Sequence, residues 1–245
     1  MKFDPPGDLI GTGKEAEIFA YGDDVLKLYR SNGKAQAFRE AATLAALSGT
    51  GLRVPDIRAA GQCGDRWGLV MSRAAGSTFA DAMLADLSQV PAYLAAMARL
   101  HLGIHAKRVP SLPDLKQRLA GRISAASVLD EARRQRLLAS LAALPDGDRL
   151  CHGDFHPFNI VGPPDNAVII DWLDAASGSP AADVCRSYLL LLLVQPPIAS
   201  AYVDAYLTAG GISADAIFAW LPALAAARIS EGVASEVPTL VELAQ

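Results

Sequence analysis

The 245-residue sequence lacks several features that mark particular classes of protein. Its three cysteines, Cys63, Cys151 and Cys185, are widely spaced and form no C-x-x-C pair, so neither a zinc site nor a disulfide framework is indicated. The 22 Lys and Arg residues are outnumbered by 26 Asp and Glu residues. With a net charge of −4, the chain offers no basic field for nucleic acid or for an anionic membrane.

Long apolar runs are also missing. The longest aliphatic run, residues 189–194, is far shorter than the ~20 residues that a membrane-spanning helix needs. Residues 1–8, MKFDPPGD, contain no apolar segment of the kind found in signal peptides. The sequence therefore predicts a cytoplasmic protein without a membrane segment. Hydrophobic residues make up 51% of the chain, which is enough for a sizeable core.

The most informative stretch is residues 151–174, CHGDFHPFNIVGPPDNAVIIDWLD. Two short apolar runs flank a cluster of turn formers at 162–166, which predicts a β-hairpin. Folding the hairpin back brings Asp171 beside the loop that carries Asp154 and Asn159. The spacing H-x-D-x-x-x-x-N, followed by an Asp after an apolar strand, is that of a kinase catalytic loop and its metal-binding Asp.

The motif HGDFHPFNI, followed by IDW, closely resembles that of the aminoglycoside phosphotransferase and choline kinase family of small-molecule kinases. The resemblance is strong over residues 149–186 and weak after residue 200. It implies that Asp154 is the base that accepts the proton of the acceptor hydroxyl. It also implies that Asn159 and Asp171 hold Mg²⁺, a hard cation that prefers oxygen ligands. Either part of the pattern alone, the D-x-x-x-x-N loop or the Asp after the strand, could occur by chance. In that alternative the Asn caps the loop and the Asp is an ordinary turn residue.

Histidines suggest competing metal sites. His152 and His156 flank Asp154, and a catalytic zinc site needs about three protein ligands. That interpretation is disfavoured because it leaves the two magnesium ligands without a role. His101 and His105 stand four residues apart, but no carboxylate is expected to join them, so packing near the catalytic loop is favoured. By resemblance, His152 is a scaffold residue whose ring hydrogen-bonds the loop.

A glycine-containing loop, GTGKEA at residues 11–16, precedes two predicted strands at 17–21 and 25–29. A Walker A loop is excluded because Glu15 stands where Ser or Thr is needed. The G-x-G-x-x-[G/A] fingerprint of dinucleotide-binding proteins also fits, but that motif opens a helix. A loop between strands is typical of kinases, whose glycine-rich loop covers the phosphates. Gly11 and Gly13 are therefore candidate nucleotide-binding residues, with Ala16 replacing the third glycine.

Lys27 and Glu40 form a candidate ion pair. Strand alternation places Lys27 on one face with Val25 and Tyr29. A helix is predicted over 34–48, and Glu40 lies on its apolar side, where a carboxylate is costly unless it is paired. In kinases a lysine–glutamate pair of this kind positions the ATP phosphates. A solvated lysine on an edge strand is the alternative.

Two further strands are predicted at 57–63 and 67–72. The run LVMSRAAG at 69–76 resembles the hinge of the family. This resemblance places Met71 at the back of an adenine pocket, with the carbonyl of Ser72 and the amide of Ala74 at the adenine edge. A plain strand that ends in a loop at Gly76 predicts nearly the same sequence, so both interpretations stay open.

The pattern becomes helical from residue 78. Helices are predicted over 78–87, 91–101, 114–127, 130–144 and 183–194, with two or three further helices around 199–209 and 214–233. Asp183 resembles a family residue that ties its helix to the catalytic loop. It follows Asp171 by only twelve residues, which leaves no room for the activation segment of a protein kinase. The expected fold is therefore α+β and two-lobed, like a protein kinase, with a nucleotide-binding lobe at 1–73 and a catalytic and substrate lobe at 74–245.

The function implied is transfer of the ATP γ-phosphate, with Mg²⁺, to a hydroxyl group of a small molecule. A catalytically silent pseudokinase and, less readily, a protein kinase are the alternatives. Cationic acceptors are among the options because four acidic residues could face the acceptor pocket: Asp174, Glu231, Glu236 and Glu242. The chain ends VELAQ, without the acidic-aromatic C-terminus of many aminoglycoside enzymes, so antibiotic resistance is not the default.

Overall fold

The computed structural model describes residues 1–30, 33–210 and 212–245. They form two compact units. The first contains Met1–Phe79 and Phe158–Leu173, and the second contains Ala80–Pro157 and Asp174–Gln245. The boundary expected after residue 73 stays a prediction.

Nine strands lie along the chain. They are β1 Leu9–Thr12, β2 Ala16–Tyr21, β3 Asp24–Tyr29, β4 Ile57–Cys63, β5 Arg66–Ser72, β6 Arg149–Cys151, β7 Ile160–Val161, β8 Val168–Ile169 and β9 Ala176–Gly178. The first five form an antiparallel sheet in the order β1-β2-β3-β5-β4, while β7 pairs with β8 and β6 pairs with β9. These counts refer to the three described ranges.

The described ranges also contain ten α-helices. They are α1 Lys34–Leu47, α2 Phe79–Ala85, α3 Val90–His105, α4 Leu115–Ala125, α5 Glu131–Ala143, α6 Pro180–Leu192, α7 Pro196–Gly210, α8 Ala214–Phe218, α9 Leu221–Ile229 and α10 Val237–Leu243. Apart from α1, they lie wholly or mainly in the second unit. The predicted class, a small antiparallel sheet with one helix plus a mainly helical part, is confirmed.

The first unit buries both faces of β3. Leu26 and Leu28 point to one side, where they pack against Val70. Lys27 and Tyr29 point to the other side, which α1 covers. Helix α1 presents its buried residues at helical spacing: Ala37, Glu40, Thr43, Leu44 and Leu47. A lysine near the middle of the sheet is therefore removed from water, and its Nζ atom needs a partner.

In the second unit, α3 and α6 both pack against α7, and α4 packs against α9. The region expected to be helical around 214–233 contains two helices, since α8 ends at Phe218 and α9 begins at Leu221. Pro222 explains the break: it has no N–H to donate, so it fits the first turn of a new helix and not a helix interior. Among the described residues, no helix is long and apolar enough to cross a membrane.

Candidate active site

Hairpin β7–β8 brings Asn159 and Asp171 together in the first unit. Ile160 pairs with Ile169, and the amide of Ile170 donates to the carbonyl of Asn159 at 3.0 Å. The two residues therefore flank the base of the hairpin, as the turn formers predict. An amide and a carboxylate are oxygen donors of the kind that Mg²⁺ prefers.

Asp171 has an unusual backbone. Its φ of 63° makes it the one non-glycine residue with a positive φ in the parts of the chain that the structure describes. Asp tolerates this left-handed region better than most residues, but the conformation still costs energy, and such residues collect at functional sites. The sequence pattern contains no signal for it.

Lys27 joins two carboxylates that are distant in sequence. Its Nζ lies 2.8 Å from Oε2 of Glu40 and 2.9 Å from Oδ1 of Asp171. The predicted pairing with Glu40 is confirmed. Burial alone would lower the pKa of Lys27, but the negative charges of Glu40 and then Asp171 outweigh it. The net effect is a raised pKa, so the ammonium group is charged at physiological pH. One cation between two anions leaves an excess negative charge, which favours a further cation at Asp171.

The glycine loop connects two strands. The amide of Gly13 donates to the carbonyl of Ala16 at 2.8 Å, which closes a tight turn between β1 and β2. Because β2 and not a helix follows this loop, the dinucleotide fingerprint is excluded, as the strand prediction requires. Gly11 lies within β1, opposite Ile18. The roles of Gly11 and Gly13 toward phosphate stay predictions.

The predicted hinge residues lie at and just beyond the end of β5. Met71 is buried and pairs with Val25 of β3. Ser72 is the last residue of the strand, and its hydroxyl accepts a hydrogen bond from the amide of Asp56 at 2.8 Å. Ala74 follows in the loop and is half-buried. The roles of Met71, Ser72 and Ala74 toward adenine stay predictions.

Asp154 lies in the second unit, on the loop after β6. Its Oδ2 is 3.3 Å from Nε2 of His156, and its Oδ1 is 3.8 Å from Nη2 of Arg186. Burial opposes ionisation of the carboxyl group, but the hydrogen bond and charge of His156, with the charge of Arg186, hold the pKa of Asp154 well below its usual range. The group is therefore a carboxylate at physiological pH. Its side chain is 29% exposed, so solutes can reach it.

Asp183 organises the catalytic loop from α6. Its Oδ1 accepts the amide of Gly153 at 2.8 Å, and its Oδ2 accepts the amide of His152 at 2.7 Å. The predicted tie between this helix and the loop is confirmed. Oδ2 also lies 2.9 Å from Nε2 of His101 and 3.2 Å from Nε2 of His105. The expectation that no carboxylate joins these two histidines is therefore wrong: α3 and α6 both pack against α7, and α6 supplies a carboxylate from a distant part of the sequence.

The three side chains of His101, His105 and Asp183 could hold a metal, since their ligand atoms lie within 4.8 Å of one another. Hydrogen bonds already account for them, however. The hydroxyl groups of Tyr202 and Tyr206 lie at the Nδ1 atoms, so each Nε2 carries the proton that it donates to Asp183. Burial, and then the charge of His105, lower the pKa of His101 to about 3. The cluster is a scaffold in which two histidine rings and two tyrosine hydroxyl groups surround one carboxylate.

The zinc set proposed from His152, Asp154 and His156 does not form. No such group occurs within ligand distance among the described residues. The ring of His152 uses its Nδ1 to accept the amide of Asp154 at 3.2 Å. Its predicted role as a scaffold residue of the loop is confirmed.

Three of the four acidic residues expected in an acceptor pocket are paired with arginines. Arg122 binds Oδ1 of Asp174 at 2.8 Å. Glu231 accepts from Arg186 at 2.8 Å and is also paired with Arg228. Arg228 binds Glu236 at 2.7 Å as well. The fourth, Glu242, is exposed on α10.

The sequence matches the model of the phosphotransferase enzyme family over residues 10–224. The chain belongs to this family. None of the curated proteins matches it closely enough to count as a relative. The predicted family is thus confirmed, and the catalytic-loop pattern of this phosphotransferase-family protein lies inside the matched range.

Solved structures share the fold of this phosphotransferase-family protein. A type VIII aminoglycoside-3'-phosphotransferase is 20% identical, with 93% of this chain and 94% of that chain covered and a TM-score of 0.64. Choline kinase LicA from Streptococcus pneumoniae is 15% identical, with 97% and 92% covered and a TM-score of 0.67. A thermostable mutant of aminoglycoside phosphotransferase APH(4)-Ia, in a ternary complex with ADP and hygromycin B, is 17% identical, with 96% and 86% covered and a TM-score of 0.66.

Two residues that contact the candidate site residues of this phosphotransferase-family protein were not predicted from the sequence. Tyr29 donates its hydroxyl proton to Glu40. Arg186 donates to the carbonyl of Gly153 at 3.2 Å and lies near Asp154. Signals for both exist: Tyr29 shares the strand face of Lys27, and Arg186 stands three residues after Asp183, on the same side of a helix.

Proposed function

We propose that this protein is an ATP- and Mg²⁺-dependent kinase that transfers the γ-phosphate to a hydroxyl group of a small molecule. The observation that carries the proposal is the position of Lys27, whose Nζ contacts both Glu40 and Asp171 within 3 Å. Such a lysine, held by a helix glutamate beside a metal-binding Asp, is the arrangement that positions nucleotide phosphates in kinases. One structure of similar fold contains ADP, which is consistent with a nucleotide site.

Asn159 and Asp171 have the chemistry to hold Mg²⁺. Both offer oxygen donors at the base of one hairpin, and Asp171 is more exposed than Lys27 or Glu40, with 42% of its side-chain surface accessible. When bound, the ion would neutralise charge on the β- and γ-phosphates. The residues Lys27, Gly11 and Gly13 would bind the same phosphates, and the segment Met71–Ala74 would bind adenine.

Asp154 is the proposed base. Its carboxylate would accept a hydrogen bond from the acceptor hydroxyl and orient the oxygen toward the γ-phosphorus. A new O–P bond forms as the bond from the γ-phosphorus to the bridging oxygen breaks, and ADP leaves. The hydroxyl proton passes to Asp154 and then to water. Because the pKa of this carboxyl group is low, orientation contributes more than basicity.

The ion pairs of the second unit bear on the acceptor. With Asp174, Glu231 and Glu236 all held by arginines, the carboxylates that favoured a cationic acceptor are already neutralised. A screen for the acceptor should therefore include neutral and anionic hydroxyl compounds as well as aminoglycosides, choline and amino alcohols. The proposal includes no nucleic-acid or membrane partner.

Nucleotide binding tests the first half of the proposal. ATP with Mg²⁺ should raise the melting temperature of the protein, since a ligand that binds only the native state stabilises it. Lys27→Ala should abolish the shift. Lys34→Ala is the matched control, because Lys34 is exposed at the start of α1 and lies over the ring of Trp67. An equal ATP shift in Lys27→Ala and wild type would remove Lys27 from the nucleotide site.

Turnover tests the second half. ATP consumption should be measured across panels of cationic, neutral and anionic hydroxyl compounds, with a no-acceptor blank to subtract hydrolysis. One class should give acceptor-dependent ADP release and a phosphorylated product by mass spectrometry. A protein that binds ATP with Mg²⁺ yet phosphorylates nothing across these panels would instead support the pseudokinase interpretation.

A further inference from the structure

Tyr29 contacts both members of the Lys27–Glu40 pair. It is fully buried and stands two residues after Lys27, on the same face of β3. Its hydroxyl donates to Oε2 of Glu40. The Nζ atom of Lys27 lies 5.5 Å from the centre of its ring, a distance at which a cation is attracted to an aromatic face.

The hydroxyl of Tyr29 limits where the Glu40 carboxylate can point. Glu40 is 1% exposed, so water cannot replace a lost partner. Oε2, the oxygen that Tyr29 holds, also lies 2.8 Å from Nζ of Lys27, and Oε1 lies 3.0 Å from the same atom, so both carboxylate oxygens face the lysine. Burial, and then the charge of Glu40, raise the pKa of Tyr29, so the phenol keeps its proton and stays a donor at physiological pH.

Tyr29 also supports the start of α1. Gly33 precedes the helix, and a Cβ atom built on it would lie 2.1 Å from Cβ of Tyr29 and 3.0 Å from its Cγ. The backbone at Gly33 therefore rests directly on the tyrosine. Glu40 follows seven residues later, about two helical turns along α1. One side chain thus fixes the helix at its start and at the carboxylate that faces Lys27.

We propose that Tyr29 is a positioning residue for nucleotide binding, which holds Glu40 so that Glu40 keeps Lys27 directed at the phosphates. The inference rests on the proposed function, since it requires Lys27 to bind the nucleotide. Tyr29 itself need not touch the ligand. Its loss would weaken nucleotide binding through the misplaced lysine.

The test compares Tyr29→Phe with Tyr21→Phe, a matched control on β2 whose hydroxyl accepts the amide of Asp4. The dissociation constant of ADP with Mg²⁺ is measured by calorimetry, in which the stoichiometry reports the folded fraction and the constant reports the folded molecules. Tyr29→Phe should weaken binding roughly 10- to 100-fold, the order of one hydrogen bond to a charged group. Tyr21→Phe should match wild type. Wild-type affinity in folded Tyr29→Phe would overturn the inference and leave the proposed function intact.

A double-mutant cycle with Glu40→Gln tests the route. If Tyr29 acts through Glu40, adding Tyr29→Phe to Glu40→Gln should change ADP affinity less than twofold, as coupled residues behave. If the two substitutions instead have fully additive effects on ADP affinity, the inference that Tyr29 acts through Glu40 is wrong. Should Tyr29→Phe not fold, Gly33→Ala replaces it, because the added methyl group would clash with Cβ of Tyr29 and shift the tyrosine from Glu40 while removing no polar group from the chain. Weaker ADP binding by folded Gly33→Ala supports the inference, and unchanged binding overturns it. A wild-type protein that binds no nucleotide would remove the proposed function, and this inference with it.

Discussion

Asp154 illustrates how a single carboxylate can be suited to its role by its neighbours. His156 and Arg186 keep it ionised, so it always has lone pairs for an acceptor hydroxyl. The same neighbours make it a weak base. Positioning of the acceptor oxygen, a large part of phosphoryl-transfer catalysis, is therefore the effect that its removal should expose.

Asp154→Asn should lower turnover by roughly 10²- to 10⁴-fold, the usual range for loss of a general base, because a neutral amide orients the acceptor hydroxyl less firmly than a carboxylate and cannot take its proton. ATP affinity should hardly change. The check is calorimetry with ATP, together with turnover on whichever acceptor the screen returns. Near-normal turnover would remove the base role, whereas joint loss of ATP binding would make Asp154 a scaffold or metal residue.

The proposed metal ligands, Asn159 and Asp171, give a second prediction. Asp171→Ala should abolish the Mg²⁺ dependence of nucleotide binding, and Asn159→Ala should weaken it, because the first removes a charged ligand and the second a neutral one. Asp165→Ala is the matched control, since Asp165 is exposed in the turn of the same hairpin. Bound zinc in the purified protein, lost when His152 and His156 are mutated, would favour the histidine site instead.

Individual contacts could be predicted where strand alternation or helical spacing shows which way a side chain points. A glutamate on the apolar side of α1 demanded a cation, and Lys27 on the preceding strand supplied it. The second partner of Lys27, Asp171, lies 144 residues away, and no local pattern links the two. The positive φ of Asp171 is equally invisible, because its sequence neighbours do not differ from those of an ordinary strand end.

At the scale of elements, the catalytic loop depends on Gly153. Its φ is +82°, and a Cβ atom there would lie 2.2 Å from the carbonyl oxygen of Asp174. Gly153→Ala should therefore destabilise the protein by about 2–4 kcal/mol and disturb the loop that carries Asp154. Gly22→Ala is the control: its φ is +61°, but nothing lies within 4 Å, so about 1 kcal/mol is expected. Urea denaturation compares them, and equal costs would show that backbone strain alone matters at Gly153.

Most elements could be predicted because their apolar spacing is clear. Three strands begin one residue earlier in the structure than predicted, namely those predicted at 17–21, 25–29 and 67–72. The strand predicted at 57–63 has the same bounds in the structure. Strands β6 and β9 have three residues each, too few for an alternating pattern to show. The number of helices around 214–233 could not be fixed from the sequence, because the apolar spacing continues through Pro222, where a helix backbone cannot.

For the whole molecule, the low pKa of His101 predicts acid sensitivity. The folded protein holds this histidine neutral down to about pH 3, while the unfolded chain binds a proton below about pH 6.5. Its contribution to stability is therefore full above pH ~6.5 and declines as the pH falls toward 3. Between pH ~7 and pH ~5 the loss should be about 2 kcal/mol. Urea unfolding at the two pH values measures it, and His101→Gln should flatten the dependence. An unchanged slope in that variant would place the acid sensitivity elsewhere.

The family and the fold class could be predicted from the chain, but the partners of the acidic residues near its C-terminus could not. Acidic residues near the C-terminus suggested a cationic ligand. In the structure, Arg122 and Arg186 reach Glu231 from 109 and 45 residues away. Ion pairs over such separations have no sequence signature, because the packing of α4, α6 and α9 decides which charges meet.

The attachment of the catalytic loop to Asp183 has a consequence for hydrogen exchange. Loop amides ordinarily exchange with solvent within moments, as few of them have a partner. The amides of His152 and Gly153 instead end on a buried carboxylate that α6 carries. Their exchange should be as slow as that of amides inside α6 and should accelerate together with them in Asp183→Asn. In an exchange experiment, this pair of amides reports on the helix although both belong to the loop.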